Sequence, residues 1–422
     1  MTLSATPSDL LASRDARDLA AIRAEFPLLA REIGGQPVAY LDSAATAQKP
    51  RAVLAAMARF LEESNGAVSR GVHRLSGEAT AAYEAARERV AAFLGGSAGE
   101  IVFTRGTTEA INLVAASFVR PRLGAGDEIV VSELEHHSNF VPWQQVCSER
   151  GARLVVVPVS DRGEVTADEV AAHLTPRTKL VALAHISNTL GTVLPIAGVA
   201  GIAARCRAHG VPLLVDGAQS TPHRPIDVAA LGCDFFAFSG HKLYGPTGIG
   251  ALWAKRAHLE AMPPWQSGGG MIETVAVEGT TFAPPPARFE AGTPAAAEAV
   301  GLAAAIDFLA SFDRAAVAAH EEALLARAIA GLAAIPGLRI LGAPAERSAV
   351  VSFVVDGVHA HDLGTVLDQR GVAVRAGHHC TQPLHRRLAI AASVRASIAL
   401  HTTEEEIDRL VSGVAAAVEM FA

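Results

Sequence analysis

The stretch Phe236-Ala-Phe-Ser-Gly-His-Lys-Leu-Tyr-Gly-Pro246 joins a short apolar run to a glycine-rich exit. The apolar run predicts a buried strand, and Lys242 follows soon after the end of that strand. In a parallel α/β sheet, the crevice that binds ligands lies at the carboxyl ends of the strands. A partly desolvated lysine amine in such a crevice can bond covalently to a carbonyl cofactor. Taken alone, Ser239-Gly-His-Lys242 favours a surface lysine in a turn, and the rest of the chain reverses that preference.

Apolar runs on both sides of this stretch alternate with helical patterns. The run Leu180-Val-Ala-Leu-Ala184 is continuously apolar, as expected for a strand that helices cover on both faces. Strands that alternate with helices indicate a mostly parallel sheet, so the sequence predicts an α/β fold. From residue 100 onward we predict strands over 101–103, 128–132, 153–157, 179–184, 211–215, 235–238 and 249–253.

The length of 422 residues exceeds the usual size of one hydrophobic core, which predicts two domains. We expect an N-terminal arm and helix over 1–35 that packs with the small domain. A large domain is expected over 36–299, and a smaller C-terminal α+β domain over 300–422.

Local patterns add detail to the second half of the chain. The Pro- and Gly-rich segment 262–294 is predicted to be irregular, and strands are expected over 348–355 and 371–375. A final helix should follow Thr403, which fits a capping box with Glu406.

Composition excludes several classes of function. There are 36 basic and 43 acidic residues, a net charge of −7, and no basic block, which argues against nucleic acid as a partner. The charged N-terminus does not resemble a signal peptide, and the apolar runs are too short to span a membrane. The four cysteines form no CxxC pair, which argues against a structural metal or disulfides and favours a reducing cytoplasm.

Two loops that follow predicted strands carry candidate phosphate ligands. Thr107 and Thr108 open a predicted helix, where hydroxyl and backbone N–H groups can hold a phosphate. An ordinary threonine cap is the alternative for this loop. Ser239 and His241, beside Lys242, are further candidate phosphate donors.

Two other loops carry side chains suited to an aromatic ring. Asp216 could accept a hydrogen bond from a protonated pyridine nitrogen, and Gln219 could reach the other polar edge of the ring. An Asx-turn is the alternative for Asp216. His136 or His137 could lie flat on the ring, whereas adjacent loop histidines make a poor metal site. Together, the four loops indicate pyridoxal phosphate.

At this point the sequence resembles the class V, fold-type I pyridoxal-phosphate enzymes, and more narrowly the SufS-type cysteine desulfurases. The resemblance runs from Leu41 to about residue 412. The motifs that carry it are Asp216-Gly-Ala-Gln219, Ser239-Gly-His-Lys-Leu-Tyr-Gly-Pro-Thr-Gly-Ile-Gly250, Arg70-Gly-Val-His-Arg-Leu-Ser76, Glu135-His-His-Ser-Asn139, Phe289-Glu-Ala-Gly-Thr-Pro294, Arg375-Ala-Gly-His-His-Cys380 and Arg395-Ala-Ser397.

The resemblance implies a role for each matched residue. Lys242 would bind the cofactor covalently, Asp216 would pair with the ring nitrogen, and His136 would stack on the ring. The remaining implied cofactor ligands are Gln219, Thr107, Thr108, Ser239, His241 and, from the other subunit of a homodimer, Thr293. The implied substrate-binding residues are Arg395, Asn188, Arg375 and His73.

Cys380 distinguishes the desulfurases from other class V enzymes. Most cysteines are small buried apolar residues, but a thiol among polar and cationic neighbours is placed to be a reactive thiolate. The resemblance implies that Lys242 moves the α-proton of L-cysteine and that Cys380 attacks the substrate sulfur. Alanine would leave and a persulfide would remain, with His136 carrying the thiol proton.

The same resemblance implies a cytoplasmic enzyme that delivers sulfur for iron–sulfur cluster assembly to a SufE-like or SufU-like acceptor protein. L-selenocysteine as substrate, another class V aminotransferase or lyase activity, and a scaffold role stay open as alternatives. His401-Thr402 departs from the family's usual Tyr-Asn, and Ala295–Ala297 follows Thr293-Pro294 where a polar residue is common. These departures leave the catalytic groups in place.

Overall fold

A seven-stranded sheet forms the centre of the larger part of the molecule. The computed structural model describes residues 16–69 and 71–421, so residues 1–15 of the predicted arm lie outside it. The strand Gly250–Ala254 is antiparallel to both of its neighbours, and every other neighbouring pair is parallel. The predicted mostly parallel sheet is confirmed. In spatial order its strands are Ile101–Thr104, Gly250–Ala254, Phe235–Ser239, Leu213–Asp216, Thr178–Ala184, Glu128–Ser132 and Arg153–Val157.

The strands of this sheet are apolar on both faces because a separate core covers each face. Phe236 and Phe238 belong to one core, and the alternating residues Phe235 and Ala237 belong to the other. Successive side chains of a strand point to opposite faces, so a strand buried on both faces shows a continuous apolar run.

Helices connect the strands and cover both sheets. The helix predicted to open at Thr107 and Thr108 begins as an α-helix at Thr107 and changes to a π-helix at Val114–Val119. None of the described helices is both long and apolar enough to cross a membrane. The α-helices of the described residues are Ala16–Ala24, Arg51–Glu63, Arg74–Leu94, Thr107–Leu113, Val141–Arg150, Ala167–Ala172, Ile202–Ala208, Ser220–His223, Val228–Leu231, Arg256–Ala261, Ala296–Ala310, Arg314–Ala333, Ala360–Gln369, Gln382–Arg387 and Glu404–Phe421.

A second, antiparallel sheet of four strands lies in the C-terminal part of the chain. Three helices, Arg314–Ala333, Ala360–Gln369 and Glu404–Phe421, share one apolar core with this sheet. The capping box predicted at Thr403 is present, because the Glu406 N–H donates to Thr403 Oγ1 at 3.2 Å and the Thr403 N–H donates to Glu406 Oε2 at 2.9 Å. In spatial order the strands are Leu338–Ile340, Val350–Val355, Ser393–Ser397 and Arg375–Gly377.

The N-terminal segment contacts this C-terminal part. The strand Ala39–Tyr40 pairs in parallel with Val372–Ala373, and Arg23 forms an ion pair with Glu406 at 2.9 Å. The helix Ala296–Ala310 crosses the predicted boundary at residue 300 and packs against the helices Arg51–Glu63 and Arg74–Leu94. The domain limits stay a prediction.

The prediction that 262–294 is irregular was wrong in one part. A β-hairpin is formed by Ile272–Ala276 and Gly279–Phe282. Both strands are largely exposed: Val275 is 67% exposed, and Val277, in the turn between the strands, is 102% exposed. The flanking Pro and Gly residues obscured these strands, which lack the alternation of buried and exposed positions that marks a half-buried strand.

His401 lies in the core near the N-terminal helix, where its ring packs edge-on against Phe26 at 4.9 Å between ring centroids. Among the described residues, neither ring nitrogen has a hydrogen-bond partner. Burial therefore lowers the pKa of His401 to about 3. The departure from Tyr-Asn at this position places a neutral histidine in the core.

This buried histidine predicts a loss of stability in mild acid. Below pH 6.5 the unfolded chain binds a proton at His401 while the folded chain does not. The free energy of unfolding therefore falls as the pH is lowered. When the pH is lowered from 7.5 to 5.5, the free energy of unfolding of His401→Leu is expected to fall by about 1.4 kcal/mol less than that of the wild type. Urea unfolding at the two pH values measures this difference. The exposed His209→Leu is the control, and equal losses for His401→Leu and the wild type would contradict the prediction.

Candidate active site

A cavity of about 250 Å³ opens at the carboxyl ends of the central strands. Twelve of the fourteen residues predicted from the sequence line it, although they come from loops far apart in the chain. The strand ends bring these loops together because parallel strands end at the same edge of the sheet. The predicted residues in the lining are Thr107, Thr108, His136, Asn188, Asp216, Gln219, Ser239, His241, Lys242, Arg375, Cys380 and Arg395.

One wall of the cavity is a cluster of hydroxyl groups. Ser239 Oγ accepts the Thr107 N–H at 2.9 Å and lies 2.8 Å from Thr107 Oγ1, while Thr108 Oγ1 lies 2.6 Å from Ser138 Oγ. Gly106 has a φ of 150°, and a Cβ at this position would lie 3.0 Å from Ser239 Oγ. This wall can donate several hydrogen bonds to one anion, such as a phosphate.

Asp216 lies fully buried on the floor of the cavity. Its Oδ1 accepts the Ala218 N–H at 2.9 Å. Burial raises its pKa, and the Ala218 hydrogen bond and the charge of Lys242 oppose that rise. A Cβ at Gly217 would lie 2.0 Å from the ring of Phe236, so this turn needs glycine. Gln219 is held near Asp216, since its Nε2 donates to the Ala44 carbonyl at 2.8 Å.

Lys242 ends a short 3₁₀ turn, Gly240–Lys242, directly after the strand Phe235–Ser239. Burial lowers the pKa of its amine to about 8, although the charge of Asp216 opposes this shift. An amine with a lowered pKa is more often neutral at physiological pH, and only the neutral form can act as a nucleophile or accept a proton.

His136 presents a neutral ring to the cavity. Its Nδ1 accepts the Ser138 N–H at 3.0 Å, which places the ring proton on Nε2. Burial lowers its pKa to about 3, and the charge of Lys242 lowers it further. A neutral, fixed imidazole can stack on an aromatic ring.

Two guanidinium groups, those of the buried Arg395 and the exposed Arg375, line the cavity and share one carboxylate. Arg395 Nη2 donates to Asp42 Oδ1 at 3.1 Å, and Arg375 Nε donates to Asp42 Oδ2 at 3.3 Å. Arg395 Nη1 donates to the Asn188 carbonyl at 2.9 Å, whereas its Nε has no partner among the described residues. Two cations facing one anion leave a net positive charge, which suits a carboxylate ligand.

Sequence reasoning did not identify Asp42 as the partner of these arginines. The sequence did contain a signal: Asp42 is an acidic residue in Leu41-Asp-Ser-Ala-Ala45, the segment where the family resemblance begins.

The loop that carries Cys380 is fixed over the cavity by contacts with the central sheet's loops. The Cys380 carbonyl accepts the His137 N–H at 2.7 Å, and the His379 carbonyl accepts Asn188 Nδ2 at 2.6 Å. The Gln382 N–H donates to His137 Nε2 at 3.1 Å. His137, left as an alternative to His136 by the sequence, therefore holds the cysteine loop.

Cys380 is exposed, and the other three cysteines are buried. Burial raises the pKa of Cys147 to about 11, and those of Cys206 and Cys233 to about 12, so these thiols are unreactive. Both His379 and Cys380 have positive φ values, 51° and 58°. Two successive residues in the left-handed region make a sharp turn with the thiol at its tip.

Two predicted residues lie outside this cavity. Thr293 and His73 are exposed on the surface of the chain, and Arg70 of the same motif lies outside the described residues. The role of Thr293 in the site of a second subunit stays a prediction. Within the described part of the chain, no group of His, Cys, Asp or Glu side chains could hold a metal ion.

Comparison with known proteins agrees with this geometry. The family model for aminotransferase class V matches residues 39–410. A cysteine desulfurase of Klebsiella pneumoniae (strain 342) is 51% identical over 394 residues, which cover 93% of this chain and 96% of that protein. A probable cysteine desulfurase 2 of Mycobacterium leprae (strain TN) is 51% identical over 429 residues, covering 100% of this chain and 99% of that protein.

The fold of this chain is also similar to the folds of solved structures. The cysteine desulfurase CsdA from Escherichia coli is similar with a TM-score of 0.87 and 42% identity, covering 96% of this chain and 99% of that one. A lysine-to-alanine mutant of C-DES, with glycine covalently linked to its PLP cofactor, is similar with a TM-score of 0.78 and 27% identity, covering 93% and 98%. The fold-type I architecture expected from the sequence is confirmed.

Proposed function

Because the chain belongs to the class-V aminotransferase family, in its cysteine desulfurase branch, we propose that it converts L-cysteine to L-alanine and forms a persulfide on Cys380. One observation carries the proposal: an exposed cysteine is fixed over a cavity that a half-buried lysine also lines. Removal of the α-proton of L-cysteine requires a base, and transfer of its sulfur requires a nucleophilic thiol.

The residues of the cavity fit pyridoxal phosphate. The hydroxyl wall at Thr107 and Ser239 suits the phosphate, Asp216 suits a protonated ring nitrogen, and Lys242 suits the aldehyde carbon. His136 would cover one face of the ring. When bound, pyridoxal phosphate supplies an electron sink that stabilises negative charge at the α-carbon of the substrate.

The chain's own residues account for the other steps. Arg395 and Asn188 hold the substrate carboxylate, and Lys242 Nζ takes the α-proton because its lowered pKa leaves it partly neutral. Cys380 Sγ then bonds to the substrate sulfur while the carbon–sulfur bond breaks. The thiol sulfur is oxidised to the persulfide level, and the three-carbon skeleton is reduced and leaves as alanine.

The test is the release of alanine and sulfide from L-cysteine in the presence of a thiol reductant. Equal amounts of the two products are expected, since each turnover transfers one sulfur atom. Amino transfer to a keto acid without sulfur release would instead support another class V activity. The relative rates with L-cysteine and L-selenocysteine determine which amino acid is preferred.

The finer assignment follows the SufS type. We infer that the persulfide passes to a SufE-like or SufU-like acceptor protein for iron–sulfur cluster assembly in the cytoplasm. The exposed positions of Thr293 and His73 support a homodimer in which each subunit completes the other's site. Light scattering tests this state, because a monomeric protein would contradict it.

Arg395→Lys is expected to weaken the binding of L-cysteine. The guanidinium contacts both Asn188 and Asp42, and an ammonium cannot make the same planar pair of hydrogen bonds. We expect KM for L-cysteine to rise about tenfold or more, with a smaller change in kcat. Steady-state kinetics measure both values. The exposed Arg339→Lys is the control, and an unchanged KM for Arg395→Lys would refute this role.

A further inference from the structure

Glu135 is a fully buried carboxyl group that the steps above do not use. It follows the strand Glu128–Ser132 and directly precedes His136, with none of its surface exposed. A buried acidic side chain requires hydrogen bonds or an opposite charge to offset its loss of hydration. The partners of Glu135 therefore indicate its role.

Both oxygens of Glu135 have hydrogen-bond partners on the same loop. Oε1 lies 2.6 Å from Ser132 Oγ, and Oε2 accepts Asn139 Nδ2 at 2.6 Å. The buried Trp143 fixes the orientation of the Asn139 amide, because its Nε1 donates to Asn139 Oδ1 at 3.0 Å. These contacts tie together both ends of the loop that carries His136.

The charges around Glu135 disfavour ionisation. Both described side-chain partners, Ser132 and Asn139, are neutral, and the charge that acts on the group is that of the Asp216 carboxylate. Burial raises the pKa of Glu135 to about 8 and Asp216 contributes to the rise, whereas the hydrogen bonds with Ser132, Asn139 and the Ala184 backbone oppose it. Lys242 acts on Asp216, so Asp216 is the member of the pair that keeps its charge.

The hydrogen-bond pattern accommodates a proton on Oε1. Ser132 Oγ already accepts the Leu134 N–H at 3.2 Å, and it can accept a second hydrogen bond from the acid. Oε2 still accepts the Asn139 amide. A neutral acid thus satisfies the network with one donor and one acceptor.

We propose that Glu135 is a positioning residue that acts as a neutral carboxylic acid, fixing the loop of His136 and leaving Asp216 as the single anion on the cavity floor. Its catalytic consequence rests on the function proposed above. Its effect on cofactor binding does not, since binding is measured without substrate.

The experiment compares Glu135→Gln and Glu135→Ala, with Glu133→Gln as the matched control on the same loop. Glutamine reproduces the donor and acceptor of the neutral acid, whereas alanine leaves Ser132 and Asn139 without their partner. Three readouts are followed: the affinity of the apoprotein for pyridoxal phosphate, the pH midpoint of the bound cofactor's absorbance, and alanine release.

We expect Glu135→Gln to restore wild-type affinity within about twofold and to keep the absorbance midpoint, while Glu135→Ala loses about tenfold or more in affinity. A midpoint shifted by a full unit in Glu135→Gln would show that the group is ionised and overturn the proposal. Wild-type affinity and alanine release in Glu135→Ala would also overturn it.

Two further measurements cover a variant that does not fold and separate this proposal from the proposed function. If Glu135→Ala does not fold, Trp143→Phe removes the outer hydrogen bond of the network and keeps a smaller aromatic ring in the core, and a smaller loss of affinity is expected. Wild-type affinity in that variant would then overturn the proposal. Failure of the wild type to release sulfide would refute the desulfurase function, and the affinity measurements would stand apart from it.

Discussion

Replacing Lys242 by alanine is expected to abolish covalent capture of pyridoxal phosphate and to lower L-cysteine turnover by about 10³-fold or more. Among the described residues that line the cavity, Lys242 is the only lysine. Lys242 is half-buried, and this burial lowers the pKa of its amine to about 8. The variant therefore loses both the group that bonds to the aldehyde and the base that moves the α-proton.

The measurement is absorbance near the visible edge, together with protein mass after borohydride reduction. The wild type should retain the cofactor covalently, and Lys242→Ala should not. Lys49→Ala is a matched control, because burial also lowers the pKa of Lys49 to about 8 but Lys49 is not among the residues that line the cavity. An unchanged spectrum with full turnover in Lys242→Ala would refute its assignment.

The position of Lys242 could be predicted because it depends on local sequence. A strand pattern fixes where the strand ends, and the parallel arrangement brings successive strand ends to one edge. The loops of Thr107, His136 and Asp216 meet Lys242 for the same reason. Four sequence segments could therefore be assigned to one cavity before any distance was known.

Contacts between distant segments could not be predicted in this way. The pairing of Asp42 with Arg395 joins the two ends of the chain, and no local pattern specifies it. The five residues of the strand Ser393–Ser397 alternate between polar and apolar types, which is typical of a half-buried strand, but no strand was predicted there from the sequence. All five are buried, since Ser393 bonds to His379 and Arg395 to Asp42.

The contacts that hold the Cys380 loop over the cavity could not be predicted from the sequence either. The sequence indicated that Cys380 is reactive from its cationic neighbours, but not what holds it over the cavity. That task falls to His137 and Asn188, each of which bonds to the backbone of the cysteine loop. Backbone contacts of this kind leave little trace in the types of residue involved.

Cys380→Ala is expected to separate sulfur transfer from cofactor chemistry. The thiol lies at the tip of its loop and makes no described side-chain contact with the hydroxyl wall or with Asp216, so the cofactor site should stay intact. We expect sulfide and alanine release to fall about 10³-fold or more, because the attacking nucleophile is removed. The absorbance of the bound cofactor should match that of the wild type.

The control for this variant is Cys147→Ala, which removes a buried thiol with a pKa raised to about 11. Its turnover should stay close to that of the wild type at a temperature where it is folded. Loss of both products in Cys380→Ala alone, with the cofactor still bound, would identify Cys380 as the sulfur acceptor. Unchanged turnover in Cys380→Ala would instead mean that sulfur leaves without a protein persulfide, and the chain would then act as a lyase on the same scaffold.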